Sequence, residues 1–296
     1  MRILQQHAAR ARIIGTARRR EQSAQIRQAG GRALQIDLDS PRDCRRLAGL
    51  ASRMIYLAPP DARNQLDNRL RGFLARLGGQ KYPATVHLAY CGTTGVYGNA
   101  GGRLLTEAAP VRPESVRAIR RADAERQIRR LGRHRRTGPL KGVRLRAPSI
   151  YAENRLPVKR LLAGLPALQA SEDSFSSHIH ADDLARSLRT AVLRGPNGRA
   201  FNATDGQQIK MGDYFDQVAD HFGLPRPRRL SPRQAQEEVS TMMWSFMRES
   251  RRLSNHRLLH ELKVTLRFPT VAATLALTPR EVQPFVDQLS RTLKGH

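Results

Sequence analysis

A chain of 296 residues with 40% apolar side chains is long enough to bury a substantial core. It has no low-complexity tract beyond short basic runs, which excludes a mainly disordered protein. The formal net charge of +27 points toward anionic partners, yet the basic residues are nearly all Arg and lie along almost every predicted helix. The densest run, Arg117 to Arg136, is broken by Asp123 and Glu125 and holds no aromatic side chain on which a base could stack. A solvated basic face is therefore expected, and nucleic acid is not the expected partner.

Cys44 and Cys91 stand alone, without the paired spacing of a zinc site or the density of a disulfide-stapled secreted domain. Met1 to Arg12 has no apolar core of a secretory leader, and no segment is apolar over a membrane-spanning length. A cytoplasmic protein without membrane contact is expected.

In chain order, short apolar runs alternate with amphipathic stretches. Strands are predicted at Arg12 to Thr16, Ala33 to Leu38, Arg53 to Ala58, Thr85 to Cys91 and Val143 to Ala147, with helices between them. Gly30-Gly31 closes the first of these helices and Ser40-Pro41 opens the next. Another helix is predicted over Glu114 to Leu131. This is the spacing of βα units in a parallel sheet. After Pro148 the pattern loosens into helices with one clear strand near Ala200 to Ala203. Ser231-Pro232 and Thr278-Pro279 open helices there, with Gln234 and Glu281 completing capping boxes. The expected organisation is a main α/β domain over residues 1–150 and a smaller, mainly helical lobe over 151–296, from which the strand near 200–203 returns to the main sheet.

Three segments carry a family resemblance. Cys91-Gly-Thr-Thr-Gly-Val-Tyr-Gly98 follows a buried strand, Arg146-Ala-Pro-Ser-Ile-Tyr151 follows the next, and His178-Ile-His-Ala-Asp-Asp-Leu-Ala185 comes after both. With Asp37-Leu38, Tyr56-Leu-Ala-Pro-Pro60, Ser250-Arg-Arg-Leu-Ser-Asn255 and Leu266-Arg-Phe-Pro269 in matching order, the chain resembles the extended short-chain dehydrogenases. Within them it is most similar to an atypical subgroup of the NAD-dependent epimerase/dehydratase family. The resemblance implies a Rossmann-like, doubly wound parallel sheet, oxidoreductase or isomerase ancestry, and a small-molecule substrate of the nucleotide-sugar kind.

It also implies NAD or NADP as cofactor. Asp37 and Leu38 would lie beside the adenine, and Ala58 and Pro59 along the dinucleotide, though the same residues also suit strand-end turns. Thr16 precedes Arg18 and Arg19, where an arginine accommodates a 2′-phosphate, which tilts the choice toward NADP. Pro148 and Ile150 complete the cofactor set. Thr93 aligns with the catalytic Ser or Thr; Thr94, Tyr97 and Tyr151 are candidate substrate contacts. A Thr-rich strand end that merely turns the chain is the competing reading. His178, His180, Asp182 and Asp183 combine metal-ligand types, but by resemblance they lead into a helix, and no metal is expected.

Two departures stand out. The family's Tyr-x-x-x-Lys pair falls, counting back from Ala124-Glu125, on Arg117 and Arg121, and an arginine cannot exchange a proton near neutral pH. The opening strand and its glycine loop are also missing: Gln5 to Ala11 is too short for a parallel crossover, so Gln5 to Arg10 is read as the tail of the helix that followed them. A start placed too late, a decayed chain, and a partner or rearrangement filling the gap all remain open. Catalysis is expected to be impaired. The alternative is a non-catalytic binding or regulatory protein that uses its basic surface for an anionic ligand or RNA. Substrate and oligomeric state stay open, although like charges along Glu114 to Arg130 oppose a dimer through that helix.

Overall fold

The computed structural model describes residues 12–78, 85–131 and 140–282. The readings made for Met1 to Ala11, and the end of the basic run beyond Leu131, lie outside these residues. β1 (Ile14–Ala17) and β2 (Arg32–Gln35) pair in parallel, Ile14 opposite Arg32, and α1 (Arg20–Gln28) connects them. Gly30, at φ 79°, lets the chain turn back after α1, as only glycine does without strain. Ser40 caps α2 (Pro41–Arg46) by accepting from the Asp43 N–H.

β3 (Arg53–Tyr56), α3 (Asn68–Gly78), β4 (Val86–Thr93), α4 (Val116–Arg130) and β5 (Leu140–Ala147) follow. β6 (Ser149–Tyr151), α5 (Val158–Leu162), β7 (His178–His180), α6 (Ala181–Arg194) and β8 (Ala200–Asn202) continue the chain, and β6 pairs with β7. The remaining helices are α7 (Met211–Phe222), α8 (Pro232–Glu238), α9 (Thr241–Met247) and α10 (Val271–Leu275). Ser231 and Gln234 form the expected capping box on α8. No helix begins over residues 279–282; Thr278 donates its hydroxyl to the Thr274 carbonyl instead. No described helix is long and apolar enough to cross a membrane.

One parallel sheet runs in the order β8-β5-β4-β3, and β1-β2 forms a second. β8 is thus the strand that returns to the main sheet. Val86, Leu88, Ala89 and Tyr90 of β4 are all buried, as a strand covered on both faces requires. Leu70, Phe73, Leu77 and Ile128 of α3 and α4 pack on one face with Tyr56 and Tyr90; Leu184, Leu188 and Val192 of α6 pack on the other with Val143, Leu145 and Phe201.

Among the described residues no strand joins β1 to β3, so each has one edge without a ladder partner. This is where the sequence places the absent strand. Amide hydrogen exchange is expected to follow: β4, paired on both sides, should exchange slowest, and β1 and β3 at rates nearer those of local opening. Equal protection of β1 and β4 would contradict the split sheet.

Behind the β6–β7 pair lies a buried polar seam. Tyr151, His178, His180, Asp183 and Asp205 are each at most 6% exposed. Asp183 accepts from the Arg267 and Phe268 N–H groups, tying the start of α6 to the Leu266–Pro269 segment. Burial pushes the Asp205 carboxyl up to about 7 and the His178 imidazole down to about 4. Both prefer to be neutral, with opposite consequences. Asp205 loses stability as pH rises from the ordinary carboxylate range through about 7, whereas His178 loses it as pH falls from about 6.5 toward 4. Their contributions nearly cancel over that window. Asp205→Asn is expected to uncover the histidine alone, so that unfolding free energy from urea melts climbs with pH by up to about 1.4 kcal/mol per unit more steeply than in the wild type. An unchanged slope would refute the assignment.

Candidate functional site

Parallel strands end on one side of a sheet, and the residues just beyond β2, β3, β4 and β5 are Asp37-Leu38, Ala58-Pro59, Thr93-Thr94 and Pro148. Ligands of doubly wound sheets bind along this edge. What the edge can do is decided by α4, and the position of α4 is decided by one buried ion pair.

Arg146, in β5, is 3% exposed and forms a two-pronged bridge to Glu125 on α4: Nε donates to Oε1 at 2.9 Å and Nη2 to Oε2 at 2.7 Å. Burial opposes the guanidinium charge, but the bonds to Glu125 outweigh it and hold the Arg146 pKa above its ordinary value. Nη1 donates to the Tyr97 hydroxyl at 2.7 Å, which donates in turn to Asn202 Oδ1 at 2.7 Å. The Asn202 N–H donates to Glu107, whose other oxygen lies 3.5 Å from Arg257. Gly142 permits the close approach: a Cβ there would stand 2.6 Å from Ile128 on α4.

With Glu125 fixed, Arg121 and Arg117 follow at one and two helical turns on the same face. Arg121 is half-buried and donates through Nη1 to the Tyr90 hydroxyl and the Cys91 carbonyl, both at 3.1 Å. Arg117 is exposed, its guanidinium carbon 4.4 Å from the centre of the Phe246 ring on α9. Among the described residues neither has a carboxylate within ion-pair distance, whereas Arg126, on the same helix, pairs with Asp123. Burial raises the Tyr90 phenol well above its ordinary range, so it is no proton donor or acceptor near neutrality.

The other expected site residues divide by burial. Thr93 is half-buried, and its hydroxyl accepts from the Gly95 N–H at 3.2 Å. Thr94, Tyr97 and Tyr151 are at most 4% exposed, in the interior rather than on an open wall. Thr16 is exposed in β1, and Arg18 lies 3.5 Å from Asp37, so part of its charge is spent within the protein. Arg19 stands at the start of α1 without a capping side-chain bond. The Asp37 N–H donates to Asp43, the Leu38 carbonyl accepts from Cys44 Sγ, and the Pro59 carbonyl accepts from Arg69. Ala58 and Ile150 are partly buried against the two faces of the sheet, and Pro148 is half-buried. A cavity of about 210 Å³ between α2 and α3, lined by Leu38, Asp39, Asp61, Arg69 and Arg76, shares only Leu38 with this set.

The adenine-side positions therefore reach the expected edge, but no glycine loop precedes α1 to receive a pyrophosphate. Gly92-x-x-Gly95-x-x-Gly98 has the outward form of such a loop and follows a strand. Its glycines serve the protein instead: a Cβ at Gly92 would meet the Tyr90 ring at 3.0 Å, and Gly98, at φ 68°, would place one 2.3 Å from the Arg112 carbonyl. Phe246 and Tyr90, which hold the two arginines, were not singled out from sequence. Only chain folding brings α9 to α4, and no local pattern announces it. Among the described residues no three His, Cys, Asp or Glu side chains converge on a metal position.

Tyr97→Phe distinguishes a packing role from a substrate contact. Removing the hydroxyl leaves Arg146 Nη1 and Asn202 Oδ1 short of a partner, and unfolding free energy is expected to fall by about 1–3 kcal/mol. A fully stable variant would count against the network.

No family profile matches the chain, and no curated protein matches it. Solved structures do. A functionally unknown conserved protein from Silicibacter pomeroyi DSS is 26% identical, with 93% of each chain covered and a TM-score of 0.77. A dTDP-glucose 4,6-dehydratase from Streptomyces venezuelae, solved with NAD bound, is 17% identical over 92% of this chain and 88% of its own, with a TM-score of 0.72. RMD from Pseudomonas aeruginosa, solved with NADPH, is 14% identical over 92% and 91%, with a TM-score of 0.64. Together with the strand order and the segments at Cys91–Gly98, Arg146–Tyr151 and His178–Ala185, these likenesses give the chain the Rossmann-like fold of the extended short-chain dehydrogenases, in an atypical epimerase/dehydratase-like form.

Proposed function

We propose that this protein binds a nicotinamide dinucleotide and a small molecule in the cleft at the strand ends, but does not run the proton-coupled chemistry of an epimerase or dehydratase. The observation that carries this reading is the pair Arg117 and Arg121. They occupy the face of α4 that Glu125 turns toward the cleft, and a guanidinium stays protonated at physiological pH. General acid/base transfer requires a group that titrates near the operating pH, and Tyr90 is driven away from it by burial.

For the cofactor, Asp37, Leu38, Ala58 and Pro59 offer the adenine end, with Thr16, Arg19, Pro148 and Ile150 farther along the edge. Neighbours solved with NAD and with NADPH support a nicotinamide cofactor. When bound, it would supply a hydride donor or acceptor. The described residues supply no glycine cradle for its pyrophosphate, so binding is expected to be weaker than in a loop-bearing relative. The pairing of Arg18 with Asp37 removes part of the reason to favour NADP. Thr93 is the remaining hydroxyl at the position where a substrate oxygen would be aligned, and a nucleotide-sugar-like small molecule in a cytoplasmic setting fits the ancestry.

A second reading is a binding or regulatory protein using its basic surface. Arg129 and Arg130 are exposed at the end of α4 with no carboxylate partner among the described residues, which suits an anionic polymer such as RNA. Retention of RNA that falls steeply with added salt would favour it.

Thermal melts with NAD, NADH, NADP and NADPH test the first reading, because a ligand of the folded state raises the melting temperature, by about 2.7 kcal/mol of stability at a hundredfold excess over Kd. A shift with at least one dinucleotide is expected, without oxidation or reduction of the nicotinamide. No shift with any of the four would overturn it.

A further inference from the structure

Arg117 differs from the many arginines that serve the protein itself. Arg146 and Arg69 are bound two-pronged to Glu125 and Asp39, Arg229 lies among Asp173, Asp213 and Asp216, and Arg120 donates to the Ala62 and Asn64 carbonyls. Arg117 has one printed neighbour, the Phe246 ring beneath its guanidinium at 4.4 Å. A ring against the face of a guanidinium leaves the N–H groups at its edge free to donate, and those form a planar fork matched to two oxygens of a carboxylate or phosphate. The ring also orders the side chain beforehand, which lowers the entropy lost on binding.

The surroundings suit an oxyanion. Arg121, one turn away, adds a second positive charge held in place by Tyr90 and the Cys91 carbonyl. Phe246 is 38% exposed, and Met242, one turn before it on α9, is 68% exposed. Apolar surface therefore borders the fork on the lobe side.

We propose that Arg117, stacked on Phe246 and supported by Arg121, is a binding fork for the oxyanion of a small ligand whose neighbouring body is apolar or aromatic. This rests on the reading that the strand-end cleft is the ligand site, and it names the chemical class of the ligand. Because arginine does not titrate, affinity is expected to be level from about pH 6 to about pH 9 for an anion fully ionised over that range, unlike a site built on Tyr, Lys or His.

The test is a calorimetric titration at constant ionic strength with benzoate, inorganic pyrophosphate and neutral benzamide, run on the wild type, Arg117→Gln, Arg117→Lys, Phe246→Leu and the distal control Arg129→Gln. Expected is saturable binding of benzoate or pyrophosphate, weakened about tenfold or more by Arg117→Gln and measurably by Arg117→Lys and Phe246→Leu, with Arg129→Gln unchanged. The better of the two anions shows whether the fork serves a carboxylate or a phosphate. Binding that is absent for both anions, matched by benzamide, or equal in Arg117→Gln and the wild type overturns the proposal. Adenosine, which carries no oxyanion, is titrated in parallel. Adenosine binding without anion binding would defeat the fork alone, and anion binding without adenosine would defeat the nucleotide half of the cleft alone.

Discussion

The salt bridge between Glu125 and Arg146 organises the cleft edge of this protein. Two charges this deeply buried are tolerable only when geometry satisfies both, and here the match is two-pronged, with Tyr97 taking a further guanidinium hydrogen. The bridge joins the middle of α4 to β5, and through Asn202 and Glu107 it reaches β8 and the segment that carries Arg257. The helix cannot rotate or slide without leaving a charge unpaired. Everything α4 presents to the cleft follows from that register.

One consequence is that the scaffold of a catalytic site persists where its proton-transfer groups do not. The strand-end threonine, the aromatic core beneath it and the helix crossing it are in place, while the two positions that face the cleft carry permanent cations. A cleft of this kind has more use for charge recognition than for proton exchange. The parted sheet at β1 and β3 is a separate departure, at the far side from β5 and β8, and it weakens the dinucleotide end without disturbing α4.

Much of the fold was legible because strands covered on both faces read as apolar runs and their helices carry explicit stop and start residues. Gly30, Ser40 and Ser231 each do in space what their residue types imply. Strand ends were off by one to three residues, as for β2, which stops at Gln35 instead of reaching Leu38, because apolar residues continue past the last ladder bond. β6 and β7 escaped notice since three-residue strands have no period to detect. Within the site, counting back from Glu125 identified the two arginines. Their partners Tyr90 and Phe246 were not legible, because an arginine's neighbours are set by tertiary approach. The interior placement of Tyr97 and Tyr151 was equally hidden, since a tyrosine carries the same sequence signature whether its hydroxyl meets substrate or a buried guanidinium.

The most direct test of this account is a double-mutant cycle on Glu125 and Arg146, read as unfolding free energy for Glu125→Gln, Arg146→Met and the double variant. Each single change strands a buried polar or charged partner and is expected to cost about 3–5 kcal/mol, and the double change is expected to cost less than the sum by about 2 kcal/mol or more. Additive costs would show that the two side chains act independently, and the register of α4, with the placement of Arg117 and Arg121 that follows from it, would need another cause.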